Sequence, residues 1–254
     1  MTGVQVGDPR DLAPQFVLPL VVRVERADPP GRTDALEAAA LAVLALLTDP
    51  RTTDSPAAGP PAAGDAEPDG ADSDTEPGGA GEWAPAVRAW SDARIRKVVR
   101  RARGAEWRRA EALDGITVAH RSAEVRVFPP VPLDGWPRDL ARLQVSGTDL
   151  DDPEPPGPPP PGVPVLWLNP AVELTAGKAM AQVGHAAQLG LAALDPDTAA
   201  AWRKDGFPVA VRVAPAAEWT ALLARDLPVV RDAGFTEVAP GTCTAVADVE
   251  ILAP

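Results

Sequence analysis

One pattern occurs twice in this chain, and any fold has to accommodate both copies. Ile95–Trp107 and Phe207–Trp219 match at Val99/Val211, Arg100/Arg212, Ala105/Ala217, Glu106/Glu218 and Trp107/Trp219, a separation of 112 residues. Further upstream, Gly31-Arg32 leads into an alanine-rich stretch as Gly177-Lys178 does, at a separation of 146. The difference of 34 is the length of the segment 48–81, rich in Pro, Gly, Ala and Asp. A single insertion in the first copy therefore accounts for both spacings.

Segment 48–81 carries almost no large apolar side chain. Burial cannot offset its ordering entropy, so it is expected to be disordered. The second spacer, 149–162, contains Pro155, Pro156 and the run Pro158–Pro161. Proline fixes its own dihedral and restricts the residue before it, which predicts an extended, stiff linker and the clearest domain boundary. The division is then a first unit from 1–47 plus 82–148, the linker 149–162, and a second unit at 163–254.

In each unit an apolar strand (16–25; 165–169) precedes a helix (33–47; 175–194). A tryptophan-bearing segment leads to a second strand (95–101; 208–213) and a further helix (105–113; 216–226). Short strands follow near 117–119 and 124–128, and near 229–230 and 244–251. Alternating strands and helices predict an α/β fold, a three-layer α/β/α arrangement with a mixed sheet. The repeat predicts two pseudo-symmetric units of that kind in one chain.

The 254 residues suffice for two small cores, and no apolar run approaches the eighteen or more of a membrane-spanning helix. Nothing at the N-terminus resembles an export signal, and the lone Cys243 suits a reducing cytoplasm. One cysteine and two histidines are poor material for a structural zinc site, and no cofactor or metal motif is present. A net charge of −12 argues against a surface that grips nucleic acid everywhere. The cations nevertheless cluster: Arg94, Arg96, Lys97, Arg100, Arg101, Arg103, Arg108 and Arg109 fall within sixteen residues. Two readings stand, a solvated face and a phosphate-binding patch.

The densest chemistry lies in the second unit. Gly177-Lys178-Ala179-Met180-Ala181-Gln182-Val183-Gly184-His185-Ala186 follows its first strand, and Asp232-Ala233-Gly234-Phe235-Thr236 with Ala239-Pro240-Gly241-Thr242-Cys243-Thr244 lies about fifty residues on. A lysine in a helix's first turn gains nothing from the macrodipole, which suggests a carboxylate partner, a phosphate or a developing oxyanion. Gln182 and His185 follow Lys178 by four and seven residues, on one side of the helix. Asp232 precedes small residues that allow a tight turn, so its carboxylate is placed to orient Lys178 or water. Thr236 and Thr244 bring hydroxyls that accept from water or donate to an ester oxygen, while Thr242 reads as a local turn residue. His185 is open to two readings, a base beside Asp232 or a packed imidazole. Cys243 has no evident base and is expected to do no covalent chemistry.

These two motifs, in this order and with Asp232, Thr236 and Thr244 spaced by four and eight, resemble the type 2 peptidyl-tRNA hydrolase family over about 163–254. The resemblance implies hydrolysis of the ester joining a peptide to tRNA, a role in translation quality control, with Lys178, Asp232, Thr236, Thr244 and His185 as catalytic candidates. Gln182 and the arginines Arg100, Arg101 and Arg103 are the candidate substrate-binding residues. It implies a tRNA carrying a peptidyl group as the partner, with no DNA, no membrane and no cofactor. Such proteins pair two units as a homodimer, so a fused chain is expected to be a cytoplasmic monomer acting as an internal pseudo-dimer. In the first unit Arg32, Leu36 and Ala39 stand where the second has Lys178, Gln182 and His185, and His120 stands for Asp232. That copy is expected to be catalytically silent. Asn169–Leu174, with Pro170 and Glu173, departs from the charged, flexible approach usual in the family. A binding or scaffold protein that keeps the fold, and a hydrolase of another acylated RNA, remain the alternatives.

Overall fold

A computed structural model describes residue 10 and residues 13–53, 81–232 and 238–252. Residues 54–80, most of the first spacer, lie outside the described residues, as do Gly234, Phe235 and Thr236.

Two mixed sheets form the frame. The first runs β2-β1-β4-β3, from β1 (Phe16–Arg23), β2 (Arg96–Ala102), β3 (Ile116–His120) and β4 (Ala123–Val127), with the short β5 (Val131–Pro132) pairing β1. The second runs β7-β6-β9-β8, from β6 (Val165–Leu168), β7 (Ala210–Val213), β8 (Val229–Arg231) and β9 (Cys243–Asp248). In both, the first strand pairs parallel with the second and antiparallel with the last. Pro19 pairs with Val98, and Val165, 146 residues after Pro19, pairs with Ala210, 112 residues after Val98.

Strand β1 is apolar at nearly every position and buried on both faces, as a central strand must be. Its Pro19 cannot donate to a ladder, and it sits where pairing with β5 at 16–17 gives way to pairing with β4 at 20–22. Leu18, Leu20 and Val22 enter the main core, while Val21 joins a separate cluster with Trp107, Ala110, Phe128 and Leu140 on the opposite face. Helices α3 (Gly104–Glu111) and α4 (Arg138–Ala141) supply that outer cover. The second sheet is covered outside by α7 (Ala216–Ala224), through Leu222 and Trp219 against Trp167 and Val246.

Between the sheets lie the long helices α1 (Arg32–Leu47) and α5 (Ala176–Ala193), packed on each other. Their alanines allow this closeness: Ala35, Ala39, Ala42, Ala179, Ala186 and Ala187 are fully buried in one core with strands of both sheets. Gly184 marks the tightest approach, since an added Cβ would stand 3.1 Å from Val43 Cγ2 and 3.2 Å from Lys97 Cδ. Gly184→Ala is expected to lower stability by about 1–2 kcal/mol, the overpacking cost exceeding the helix-propensity gain of roughly 1 kcal/mol. Urea denaturation measures it.

The tryptophan-bearing segments prove to be helices, α2 (Ala84–Asp92) and α6 (Pro196–Lys204). Each buries its indole and donates Nε1–H to a backbone carbonyl six residues on, Trp90 to Arg96 at 2.9 Å and Trp202 to Pro208 at 3.0 Å. Two expectations need correction. The described ends of segment 48–81 are ordered: Pro50–Thr52 is a 3-10 turn in which Asp49 accepts from the Arg51 backbone and guanidinium. Arg51 also lies 3.6 Å from the ring centre of Trp83, whose Nε1 donates to Asp114.

The second correction concerns 149–162, which is not merely a tether. Neither long helix has a side-chain cap of its own at its N-terminus. The Asp152 carboxylate instead accepts from the Thr33 amide and hydroxyl at 2.8 and 2.7 Å, and Asp151 O accepts from Arg32 N. Just upstream, Thr148 accepts from Ala176 N and Gly177 N. This stretch therefore caps α1 and α5 together, satisfying amides that helix starts leave unpaired. With Leu150 buried, it is bound into the core rather than separating two cores.

Candidate functional site

Helix α5 and the β8–β9 edge of the second sheet bring three of the candidate residues into one hydrogen-bonded chain. Thr244 lies on β9, and its Oγ1 donates to Gln182 Oε1 at 2.6 Å. Gln182 Nε2 donates to Asp232 Oδ2 at 3.0 Å. All three are buried, at 1%, 4% and 7% exposure respectively. Asp232 follows β8 directly and continues its ladder: its N donates to Thr242 O at 2.9 Å and its O accepts from Gly241 N at 2.7 Å. Gly241 turns the chain at φ +85°, a conformation that favours glycine.

The direction of this chain is fixed by chemistry. A carboxylate only accepts, so the Gln182 amide must present its NH2 to Asp232 and its oxygen to Thr244. The Thr244 proton is then committed to Gln182, and the hydroxyl offers lone pairs to any further partner. A water in front of Thr244 would donate to it and point its own lone pair outward.

Thr244 lines a cavity of about 270 Å3 with Leu168, Asn169, Val172, Ala179 and Arg32. Arg32 belongs to the other repeat, and its Nη2 donates to Leu174 O at 3.0 Å, fixing the cavity wall. Asn169 Nδ2 donates to Cys243 O, and its Oδ1 accepts from Ala171 N, which orders the turn around Pro170. Glu173, exposed, also lines this cavity.

Lys178 is half-buried two residues into α5 and lines a second cavity on another side of the helix. Met180, Val183 and Ala187 are core residues. Thr242 Oγ1 bonds Ala239 O within its turn, and Cys243 Sγ accepts from Arg231 Nη1. Thr236 lies outside the described residues.

His185 is not hydrogen-bonded to Asp232. Its Nδ1 stands 3.0 Å from Lys97 Nζ, which also donates to Gln188 Oε1. Burial, aided by the Lys97 charge, holds His185 well below the ordinary imidazole range, and burial alone holds Lys97 well below the ordinary lysine range. The packed-imidazole reading is the one this geometry matches. A depressed folded-state pKa means that the unfolded chain takes up its proton first as pH falls, so stability is lost from the ordinary lysine range downward. Lys97→Met removes that term, and its stability relative to the wild type is expected to be higher at pH 6 than at pH 9 in urea denaturation.

The arginine cluster is largely engaged within the molecule. Arg100 donates to Ala141 O and Leu143 O and lies 4.4 Å from the ring centre of Trp136. Arg101 donates to Ser146 O and bonds Gln144 Oε1. These contacts hold the segment after α4 against β2. Arg103 is half-buried at the start of α3, where Arg108 and Arg109 are exposed.

Sequence reading missed Arg32 as a cavity residue of the second unit, and it missed Glu37 and Lys97 as buried charges. Among the described residues no group of three or more His, Cys, Asp or Glu could hold a metal ion, and no helix is long and apolar enough to cross a membrane. No family model matches the chain, and no curated protein matches it.

Proposed function

We propose that this protein hydrolyses the ester between a peptide and the 3′ end of tRNA. The observation that carries the reading is the buried Thr244–Gln182–Asp232 chain, which leaves an oriented acceptor at the wall of a cavity. Ester hydrolysis needs a water held in one orientation near the carbonyl carbon and positive charge near the oxygen that becomes negative. Thr244 holds the water, Asp232 acts through Gln182 as the positioning residue, and Lys178 is the cationic group. The cavity, with Leu168, Val172 and Ala179, receives the acyl portion. The test is release of free tRNA from peptidyl-tRNA by the purified protein in chelator, with aminoacyl-tRNA bearing a free amine reacting poorly. Absence of release from the folded protein would refute the reading.

The two units are, in this reading, a duplicated pair. Identical strand orders, the shared registers and the matching tryptophan hydrogen bonds support it. The chain is then a monomer, and sedimentation reporting a stable dimer would count against this.

The internal engagement of Arg100 and Arg101, with the net charge of −12, favours a second reading, a fold-retaining scaffold with weak tRNA contact. The two readings differ in a salt titration. For an RNA-binding hydrolase, Arg103→Ala with Arg108→Ala should weaken binding of deacylated tRNA and make the salt slope shallower by about two. Affinity unchanged by salt or by these substitutions favours the scaffold.

A further inference from the structure

Only three of the 24 cationic residues are lysine: Lys97, Lys178 and Lys204. Two of these line the same cavity, of about 500 Å3, where β2, residues 145–149 and the start of α5 meet. Arginine stays charged in proteins, whereas lysine yields a neutral amine when buried. In a chain that otherwise uses arginine, lysines on facing walls of one cavity are therefore a chemical distinction.

Lys97 is 8% exposed. Its stem passes against Gly184, the one α5 position without a side chain to obstruct it. Nζ lies 4.8 Å from the ring centre of Trp90, 2.6 Å from Gln188 Oε1 and 3.0 Å from His185 Nδ1. None of these partners is a carboxylate. A buried ammonium with no counter-ion is costly, and the group responds by losing its proton. The neutral amine directs its two hydrogens to Gln188 and His185 and keeps its lone pair. Val98, Val99 and Ala181 make much of the cavity wall apolar, and Lys178 places a cation on it.

We propose that Lys97 is the nucleophile of a covalent carbonyl-binding site at the seam of the two repeats, taking a small aldehyde whose anionic group faces Lys178. The Nζ lone pair adds to the carbonyl carbon and gives a carbinolamine. The C–O bond then breaks, the hydroxyl departs as water with the second amine hydrogen, and a C=N bond to Nζ remains. His185 Nδ1, beside Nζ, is placed to take the proton from nitrogen and return it to the departing hydroxyl. Aldehyde and amine give imine and water, with no change of oxidation state. The site goes beyond ester hydrolysis and does not rest on it, because Lys97 is not part of the Thr244–Gln182–Asp232 chain.

The test uses the full chain with glyoxylate as probe, reductive trapping by cyanoborohydride at neutral pH, and peptide mapping of all three lysines. Exposed Lys204 is the internal reference. Lys97 is expected to be alkylated at least tenfold faster than Lys204, and faster by glyoxylate than by acetaldehyde. Lys97→Met, which keeps the apolar stem, and Lys97→Arg, which keeps the charge, should both abolish that adduct while circular dichroism shows a folded protein. Lys204 labelled as fast as Lys97 would overturn the nucleophile, and equal rates with the two aldehydes would overturn the anionic ligand.

Discussion

Asp232→Ala is expected to lower kcat/KM for peptidyl-tRNA by 10²-fold or more, about 2.7 kcal/mol of transition-state stabilisation. The cause is indirect. Asp232 is linked through Gln182 to Thr244, so its loss frees the Gln182 amide to rotate and removes the reason for the Thr244 proton to point away from the cavity. Once Thr244 donates as readily as it accepts, a water in front of it has no fixed orientation, and the entropy of orienting it returns to the barrier. The effect should fall on kcat more than on KM, because Asp232 does not line the cavity that receives the substrate. Asp232→Asn retains an acceptor oxygen for Gln182 and should keep part of the rate. By contrast, Arg32→Ala should raise KM with little change in kcat, since Arg32 fixes a cavity wall through Leu174 O. Equal turnover of wild type and Asp232→Ala, both folded, would refute the chain's role.

What the sequence disclosed followed its periodicities. The apolar run of β1, the alanine stripes of α1 and α5, and the spacing of Pro19 and Val98 from Val165 and Ala210 are local or repeated patterns, and these are visible without coordinates. Asp232, Thr244 and Gln182 could be named together only because their motifs are compact. The use of Lys97 and Glu37 was not legible, because both are surface residue types whose burial is set by the opposite repeat, 88 and 175 residues away in the contacts they make. His185 shares the helical spacing of Lys178 and Gln182, yet its neighbour across the seam, not its own helix, decides its chemistry. The capping work of Thr148 and Asp152 was hidden for a similar reason. A proline-rich composition predicts stiffness and gives no sign of which helix ends a segment will cover.

Glu37→Ala is expected to cost about 3–5 kcal/mol of stability, the range for stranding the partners of a buried charge. Glu37 is 1% exposed on α1, a helix of the first repeat, and it reaches across the seam to the second sheet. Its Oε1 accepts from Arg212 Nη1 at 3.0 Å and from Val211 N at 3.1 Å on β7. Its Oε2 stands 3.0 Å from His120 Nε2 and 3.1 Å from Arg121 Nη1. Arg121 is more than half exposed and contributes little, whereas the Arg212 side chain is 11% exposed and would be left charged without an acceptor. Removing the carboxylate thus strands a guanidinium and a backbone amide at the same point where the repeats join. Glu37→Gln keeps an oxygen for Val211 N and loses only the charge, so its cost should be clearly smaller. Replacing both Glu37 and Arg212 by Met should recover most of the loss, since an apolar pair of similar volume often matches a buried ion pair, while the unpaired Val211 amide keeps it from full recovery. Urea denaturation of the four proteins resolves these differences. If Glu37→Ala matched the wild type, the seam would be held by α1 and α5 packing alone, and the ion cluster would contribute nothing to holding the repeats together.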